Sequence, residues 1–366
     1  MKTLAEKAVA LKKNIYNTNA KTEERYSKSV AFTSANLKRF LPQIPSKEHE
    51  QFYRDCLYNQ HLSSLEEYDI GAIDAVDVIN ETSLPSLENI DQPLVFATYH
   101  LGSYRILNSY LTKLGLKTAL IVDDEVYNAQ ANKFLNSWKK VEGHYKNGSD
   151  FVVLNAEKRT VLLQLMKLLR DNYVLIVYLD GNTGTGKRLS ENPNLLSTNF
   201  LGHDIYTRKG FAYLSHIVKA NIVTTLSYRD KGTTKLHFFE EIEYDPSVSR
   251  EAHCQTVVKK CYDIFQSYLL KYPQQWEGWF YIHKWFETDL LEDQREDSKP
   301  SIAVRGFNSE EYALFKYCLN DYFILDKSNY KSILITKGIY EALKNNRYKQ
   351  LGKNVLQQLM TNNIIV

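Results

Sequence analysis

Cysteine is scarce: Cys56, Cys254, Cys261 and Cys318 are the only four in 366 residues, and none forms a CxxC spacing. That scatter suits neither a disulfide framework nor a zinc site, and it points to a reducing cytoplasm. Long apolar runs are also missing. None approaches the roughly 20 residues that a membrane-crossing helix needs, and no signal-peptide core is visible, so neither export by that route nor a membrane span is expected. Charge of one sign is not in excess, with 46 basic against 43 acidic residues and a net charge of +3. A nucleic-acid binder would carry a clear basic surplus. No G-x-S-x-G is present, which removes the serine hydrolase signature. No His, Cys, Asp or Glu grouping has metal-ligand spacing, so neither metal nor cofactor is expected.

What is there is the composition of a folded globule, 43% hydrophobic and 24% charged. Aromatics are abundant, with 26 Tyr among a 13% aromatic share. Core packing and an aromatic-lined pocket both account for that.

Residues 1–92 read as a helical N-terminal region. Leu4, Ala8, Leu11 and Ile15 share one face of its first helix, with Lys2, Lys7, Lys12 and Lys13 elsewhere. Such a basic amphipathic helix packs on its own domain or lies on a membrane surface. From 93 to 286 short apolar runs alternate with helical patterns. Strands are expected at Leu94–Thr98, Thr118–Val122, Phe151–Leu154, Val174–Leu179 and Ile222–Leu226, and another near Leu236–Glu243. Helices are expected near 103–114, 126–140, 157–171, 206–219 and 250–272. The alternation predicts an α/β core, a mostly parallel central sheet flanked by helices. A charged linker spans 287–300. A small C-terminal module, helical or winged-helix-like, occupies 301–366, opening on a capping-box pattern at Asn308-Ser-Glu-Glu311.

Three segments could carry chemistry. Thr98-Tyr-His-Leu-Gly-Ser-Tyr-Arg105 puts His100 directly after a buried strand, where open α/β sheets bind ligands. A neutral imidazole there can remove a proton from a hydroxyl or amine, although strand-end histidines also serve structure. Tyr178-Leu-Asp-Gly-Asn-Thr-Gly-Thr-Gly-Lys-Arg188 nearly matches a phosphate-binding loop. However, Arg188 stands where the magnesium-holding Ser or Thr belongs, and no helix begins after it. Its glycines therefore read as a loop over a pocket with Asp180 at the hinge. The third is Pro273 to Phe286, where Trp276, Trp279, His283 and Phe286 approximate one helical face; an aromatic helix packed on the core explains that equally well.

The order of these segments resembles the bacterial lysophospholipid-type acyltransferases that include the lipid A lauroyl and myristoyl transferases. That family has a motif like H-F-G-N-W-E with its catalytic pair written H-x4-D/E, matched here by His100-Leu-Gly-Ser-Tyr-Arg105. It has an Asp followed by a Gly-rich segment, an F-x-G turn and a Thr-containing helix. The counterparts here are Asp180 with Gly184 and Gly186, Asn199-Phe-Leu-Gly202, and Thr207-Arg-Lys-Gly210. It closes on P-x-Q/E-W and W-x-x-x-H/R-R-W/F-K, matched within Pro273 to Phe286. The likeness covers about 93–286. Two departures stand out: the family's membrane anchor is absent, and Arg105 takes the place of the catalytic acid. An Arg cannot orient the imidazole as a carboxylate does, and its charge should depress the histidine pKa.

The resemblance implies acyl transfer from a thioester, acyl-carrier protein or acyl-CoA, to a hydroxyl or amine of a small-molecule, peptide or lipid acceptor. Specialised-metabolite and lipid biosynthesis are both open. His100 and Asp180 are the expected catalytic residues. Gly102, Ser103, Arg105, Gly184, Gly186, Lys187, Arg188 and Arg208 are the expected substrate-binding ones, with amides near Gly102 stabilising the oxyanion. The C-terminal module could dock a carrier protein or peptide. A cytoplasmic location is expected, with peripheral contact at the inner face of the membrane through the N-terminal helix left open. The rival reading is a non-catalytic binding protein that has kept the pocket and lost the acid.

Overall fold

The computed structural model describes residues 3–17, 24–84, 87, 90, 92–181, 188–291, 306–318 and 320–366. Helices α1 (Leu4–Asn17), α2 (Glu24–Phe40), α3 (His49–Glu66) and α4 (Ile70–Asp74) lead to strand β1 (Asp77–Asn80). Strict alternation follows: β2 (Leu94–Thr98), α5 (Ile106–Lys113), β3 (Lys117–Val122), α6 (Asp124–Tyr145), β4 (Asp150–Asn155), α7 (Val161–Arg170) and β5 (Tyr173–Tyr178). Next come the hairpin β6 (Leu195–Phe200) and β7 (His203–Arg208), then α8 (Gly210–Val218), β8 (Asn221–Asp230), β9 (Thr233–Ile242) and α9 (Arg250–Leu269). The chain closes with β10 (Tyr312–Tyr317), β11 (Asp321–Asp326), β12 (Ser332–Ile335), α10 (Lys337–Lys344) and α11 (Lys353–Thr361). Two compact units result, Met1–Lys13 with Cys56–Gly278, and Asn14–Asp55 with Trp279–Val366.

In the first unit the sheet order is β1-β9-β8-β2-β5-β3-β4. β2 pairs in parallel with β5 and β8, and β3 with β4 and β5; β9 turns back antiparallel to β8 and takes β1 parallel on its outer side. This is the helix-flanked, mostly parallel α/β sheet that the alternation predicts. All five residues of β2 are buried, which is why it reads as an uninterrupted apolar run: helices cover both faces of a parallel strand. Leu94 and Phe96 of β2 share one cluster with Leu107 and Leu111 of α5, Leu120, Val153, Ile176 and Val223. Each such side chain contributes about 1.5–3 kcal/mol by leaving water. Because β2 to β5 run parallel, their carboxyl ends lie along one edge of the sheet.

The second unit holds an antiparallel sheet in the order β10-β11-β12. Tyr312 and Ile324 from it pack with Leu343, Leu359, Ile364 and Ile365. The helices α10 and α11 follow this sheet. In place of the helix expected to open at Asn308, strand β10 follows. Asn308 does accept the Glu311 amide, 3.3 Å, but the turn feeds Tyr-Ala-Leu-Phe, which pairs with β11 and buries Tyr312 and Phe315.

Two further elements differ from expectation. Residues 206–208 belong to β7, since Ile205 and Thr207 alternate inward in register with β6. Phe200 and His203 flank a turn of Leu201 and Gly202, both at positive φ, the conformation that a two-residue hairpin demands. Pro273 to Phe286 is not one helix but the short turns Pro273–Gln275, Glu277–Phe280 and Ile282–Trp285. Most of the charged stretch 287–300 lies outside the described residues.

Candidate active site

β2 ends at Thr98 and delivers Tyr99, His100 and Leu101 to the carboxyl edge of the sheet. Tyr99 is fully buried and stacks on Phe265, centroids 3.9 Å apart. Beside it β5 ends at Tyr178, and the Leu179 amide donates to Thr98 O at 2.9 Å, carrying the ladder one step further. That extra step sets Asp180 against His100. Asp180 is wholly buried. Its Oδ1 lies 2.7 Å from His100 Nδ1, and its Oδ2 accepts from the His100 amide at 2.8 Å and from Trp276 Nε1 at 2.7 Å. A carboxylate oxygen accepts, so Nδ1 carries the proton and Nε2 keeps its lone pair. Asp180 therefore sets a carboxylate on the imidazole, whereas the local motif has Arg105 in the place of its acid. The binding-protein reading rested on that missing acid.

The ring of His100 lies between two tyrosines, stacked on Tyr178 at 4.6 Å and edge-on to Tyr104 at 4.7 Å. Tyr178 Oη donates to the Tyr104 carbonyl at 3.1 Å, and Tyr104 Oη donates to Glu277 at 3.1 Å. Burial keeps both phenols above the ordinary tyrosine pKa, hence as neutral donors. Burial also works against a charged imidazole, but Asp180 and Glu277 outweigh it and raise the His100 pKa above 6.5, with Arg105 pulling the other way. Arg105 acts on the imidazole in the sense expected, but the two nearby carboxylates dominate and the net shift is upward. Nor is Arg105 an uncompensated cation. It sits 3.8 Å from Glu67 and over the Tyr104 ring.

The aromatic segment after α9 is wired into the histidine loop. Leu101 bridges Trp276, the Gly102 amide donates to Gln275 O at 2.8 Å, and the Glu277 amide donates to His100 O at 3.3 Å. Gly102 has φ +57, and a Cβ there would stand 2.7 Å from both Ser227 O and Tyr228 Cα. Its amide is engaged with the Gln275 carbonyl. Ser103 is likewise turned inward, fully buried, its hydroxyl donating to Glu66 at 2.6 Å. Glu66 is paired with Arg229, whose Nη1 donates to Asn59 at 2.8 Å. The Gln275 side chain grips the backbone of Arg229 from both sides at 2.7 Å.

Gly184, Gly186 and Lys187 lie outside the described residues. Arg188 is exposed just after them. Arg208, on β7, has its pKa lowered by partial burial, while Asp123 after β3 and Glu157 after β4 act in the opposite sense. Residues that the sequence alone did not single out here are Glu66, Tyr104, Tyr178, Arg229, Gln275 and Glu277. Trp276 was legible as part of a candidate segment that core packing explained equally well. Its P-x-x-W context was the available signal that its indole serves the site as well.

A His–Asp pair thus stands at the carboxyl edge of a mostly parallel sheet, an arrangement chemically able to transfer a proton. The family model of the bacterial lipid A biosynthesis acyltransferases matches residues 9–288, about three quarters of the chain, and the chain belongs to that family. It is an acyltransferase. Among solved structures, the 1-acyl-sn-glycerophosphate (LPA) acyltransferase PlsC from Thermotoga maritima is 12% identical, with 72% of this chain and 97% of that chain covered at a TM-score of 0.33. No curated protein matches the chain. Among the described residues no helix is long and apolar enough to cross a membrane.

Proposed function

We propose that the chain moves an acyl group from a thioester, on acyl-carrier protein or coenzyme A, to a hydroxyl or amine acceptor, with His100 as general base and Asp180 as its orienting acid. The observation that carries this is the 2.7 Å Nδ1 contact to a wholly buried carboxylate. Nε2 takes the acceptor proton as the acceptor oxygen or nitrogen attacks the thioester carbonyl. The tetrahedral intermediate then expels thiolate, which takes the proton from the imidazolium. A lipid acceptor follows the family's substrate class; a specialised metabolite is the alternative. Lys187, Arg188 and Arg208 are the cations proposed to hold an anionic group of donor or acceptor. Arg105 is proposed to act through Tyr104 and Glu67 rather than on substrate. Cytoplasmic placement with peripheral contact through α1 belongs to the same reading. Its support is that Leu4, Ala8, Leu11 and Ile15 share one half-buried face while Val9 is exposed.

Intact mass spectrometry of lipid and metabolite acceptors incubated with the protein and acyl thioesters tests the reading directly. An acceptor gaining one acyl mass supports it; recovery of every pool unchanged ends it. The pH profile is a second check. A base must be neutral, and the His100 pKa is raised, so activity should be full above that pKa and fall as pH drops through it. The rising limb of kcat/KM is expected at a midpoint above 6.5, and Glu277→Gln should move it down by removing one of the anions that hold it up. A midpoint at or below 6.5 contradicts the assignment.

A further inference from the structure

α7 carries more apolar side chains than its packing uses. The face toward the core is supplied by the buried Leu165 and Leu169 with the half-buried Val161, Met166 and Leu168. Leu162 and Leu163, in the first turn, are instead 37% and 69% exposed. Scattered exposed leucines are ordinary, but these two adjoin each other and stand among cations. Lys158 and Arg159 precede them, exposed, and Lys167 and Arg170 follow on the same short helix, against Glu157 and Asp171. Their position matters most. α7 leaves the carboxyl end of β4, which runs parallel to β2 and β5 through β3, so its first turn lies along the edge that presents His100 and Asp180. Glu157, at its start, is one of the acidic groups acting on Arg208.

We infer that the first turn of α7 is a lipid-surface contact: Leu162 and Leu163 enter the apolar boundary of an anionic bilayer while Lys158 and Arg159 meet its headgroups, turning the His100 edge toward the membrane. An adjacent pair of exposed leucines at a helix start, with basic neighbours, matches the amphipathic requirements of an interfacial anchor. A protein partner would more naturally meet a flat or grooved patch with aromatic anchors. The inference rests on the proposed lipid acceptor for its biological sense, but it concerns a surface distinct from α1 and is tested apart from turnover.

The full chain is mixed with vesicles of phosphatidylcholine alone and of phosphatidylcholine with phosphatidylglycerol, then sedimented. Binding is expected to the anionic vesicles only and to weaken with added salt. Leu162→Ser with Leu163→Ser should weaken it by about 10- to 100-fold, and Lys158→Glu with Arg159→Glu by about tenfold or more. Both variants should melt like the parent and hydrolyse a water-soluble acyl thioester at the parent rate. A parent that ignores anionic vesicles, or variants that bind as the parent does, overturns the inference. So does a parent retained on an acidic acyl-carrier protein but not on vesicles, with that retention lost in the variants. Absent thioester turnover in a parent that binds vesicles would instead count against the acyl-transfer reading and leave the surface standing.

Discussion

His100→Ala is expected to lower turnover by about 10²–10⁴, the range for losing a general base, with the melting temperature little changed. The imidazole is already fixed by its partner and by two tyrosine rings, so the loss should fall on kcat more than on KM. Asp180→Asn tests the pair differently. Asp180 accepts at both oxygens, from His100 and from Trp276. An amide can accept at only one of them, and its NH2 would compete to donate to Nδ1 and select the wrong tautomer. A loss of similar size is expected, joined by a fall in stability because a buried indole N–H or backbone amide is left without its acceptor, at about 1–3 kcal/mol. Single-turnover kinetics on an acyl thioester separates the two variants. Undiminished turnover in His100→Ala would sink the mechanism.

The contrast between what was and was not legible follows from range. Strands β2 to β5 announced themselves because each is a short apolar run between helical patterns, wholly buried in β2 and buried in part in the other three, and that burial leaves its mark locally. β7 and β10 hid for the opposite reason. Thr207-Arg-Lys-Gly210 and Asn308-Ser-Glu-Glu311 carry helix-start chemistry, and only the partner strand decides that Ile205, Thr207 and Tyr312 turn inward. At the site, His100 and Asp180 were each visible as strand-end residues, but their contact joins positions 80 apart, and sequence spacing holds no trace of it. The Arg105 departure looked decisive because the family motif places the acid nearby. A carboxylate from the adjacent strand reaches the same nitrogen. Gly102 and Ser103 were legible as special, but nothing local reveals that Gln275 and Glu66 take up their hydrogen bonds.

Beneath the histidine loop, the Glu66–Arg229 pair should prove the most sensitive structural element of the site. Side-chain exposures of 8% and 13% leave little water to answer either charge once the other is gone. Arg229→Met is therefore expected to destabilise the protein by about 3–5 kcal/mol in urea unfolding, and Glu66→Leu by a similar amount. Glu66→Leu also removes the acceptor of the buried Ser103 hydroxyl. The double variant separates charge from packing. If the cost of each single change is mainly an abandoned charge, Glu66→Leu with Arg229→Met should lose clearly less than the two single losses added together, since the double leaves no ion unpaired. The consequence reaches His100 because Arg229 is held at its backbone by Gln275, whose carbonyl takes the Gly102 amide. kcat should therefore fall in the single variants even at temperatures where they remain folded. Additive losses in the double variant would show that the pair contributes shape alone. A single-variant loss below about 1 kcal/mol, the level of a surface ion pair, would show that water reaches it after all.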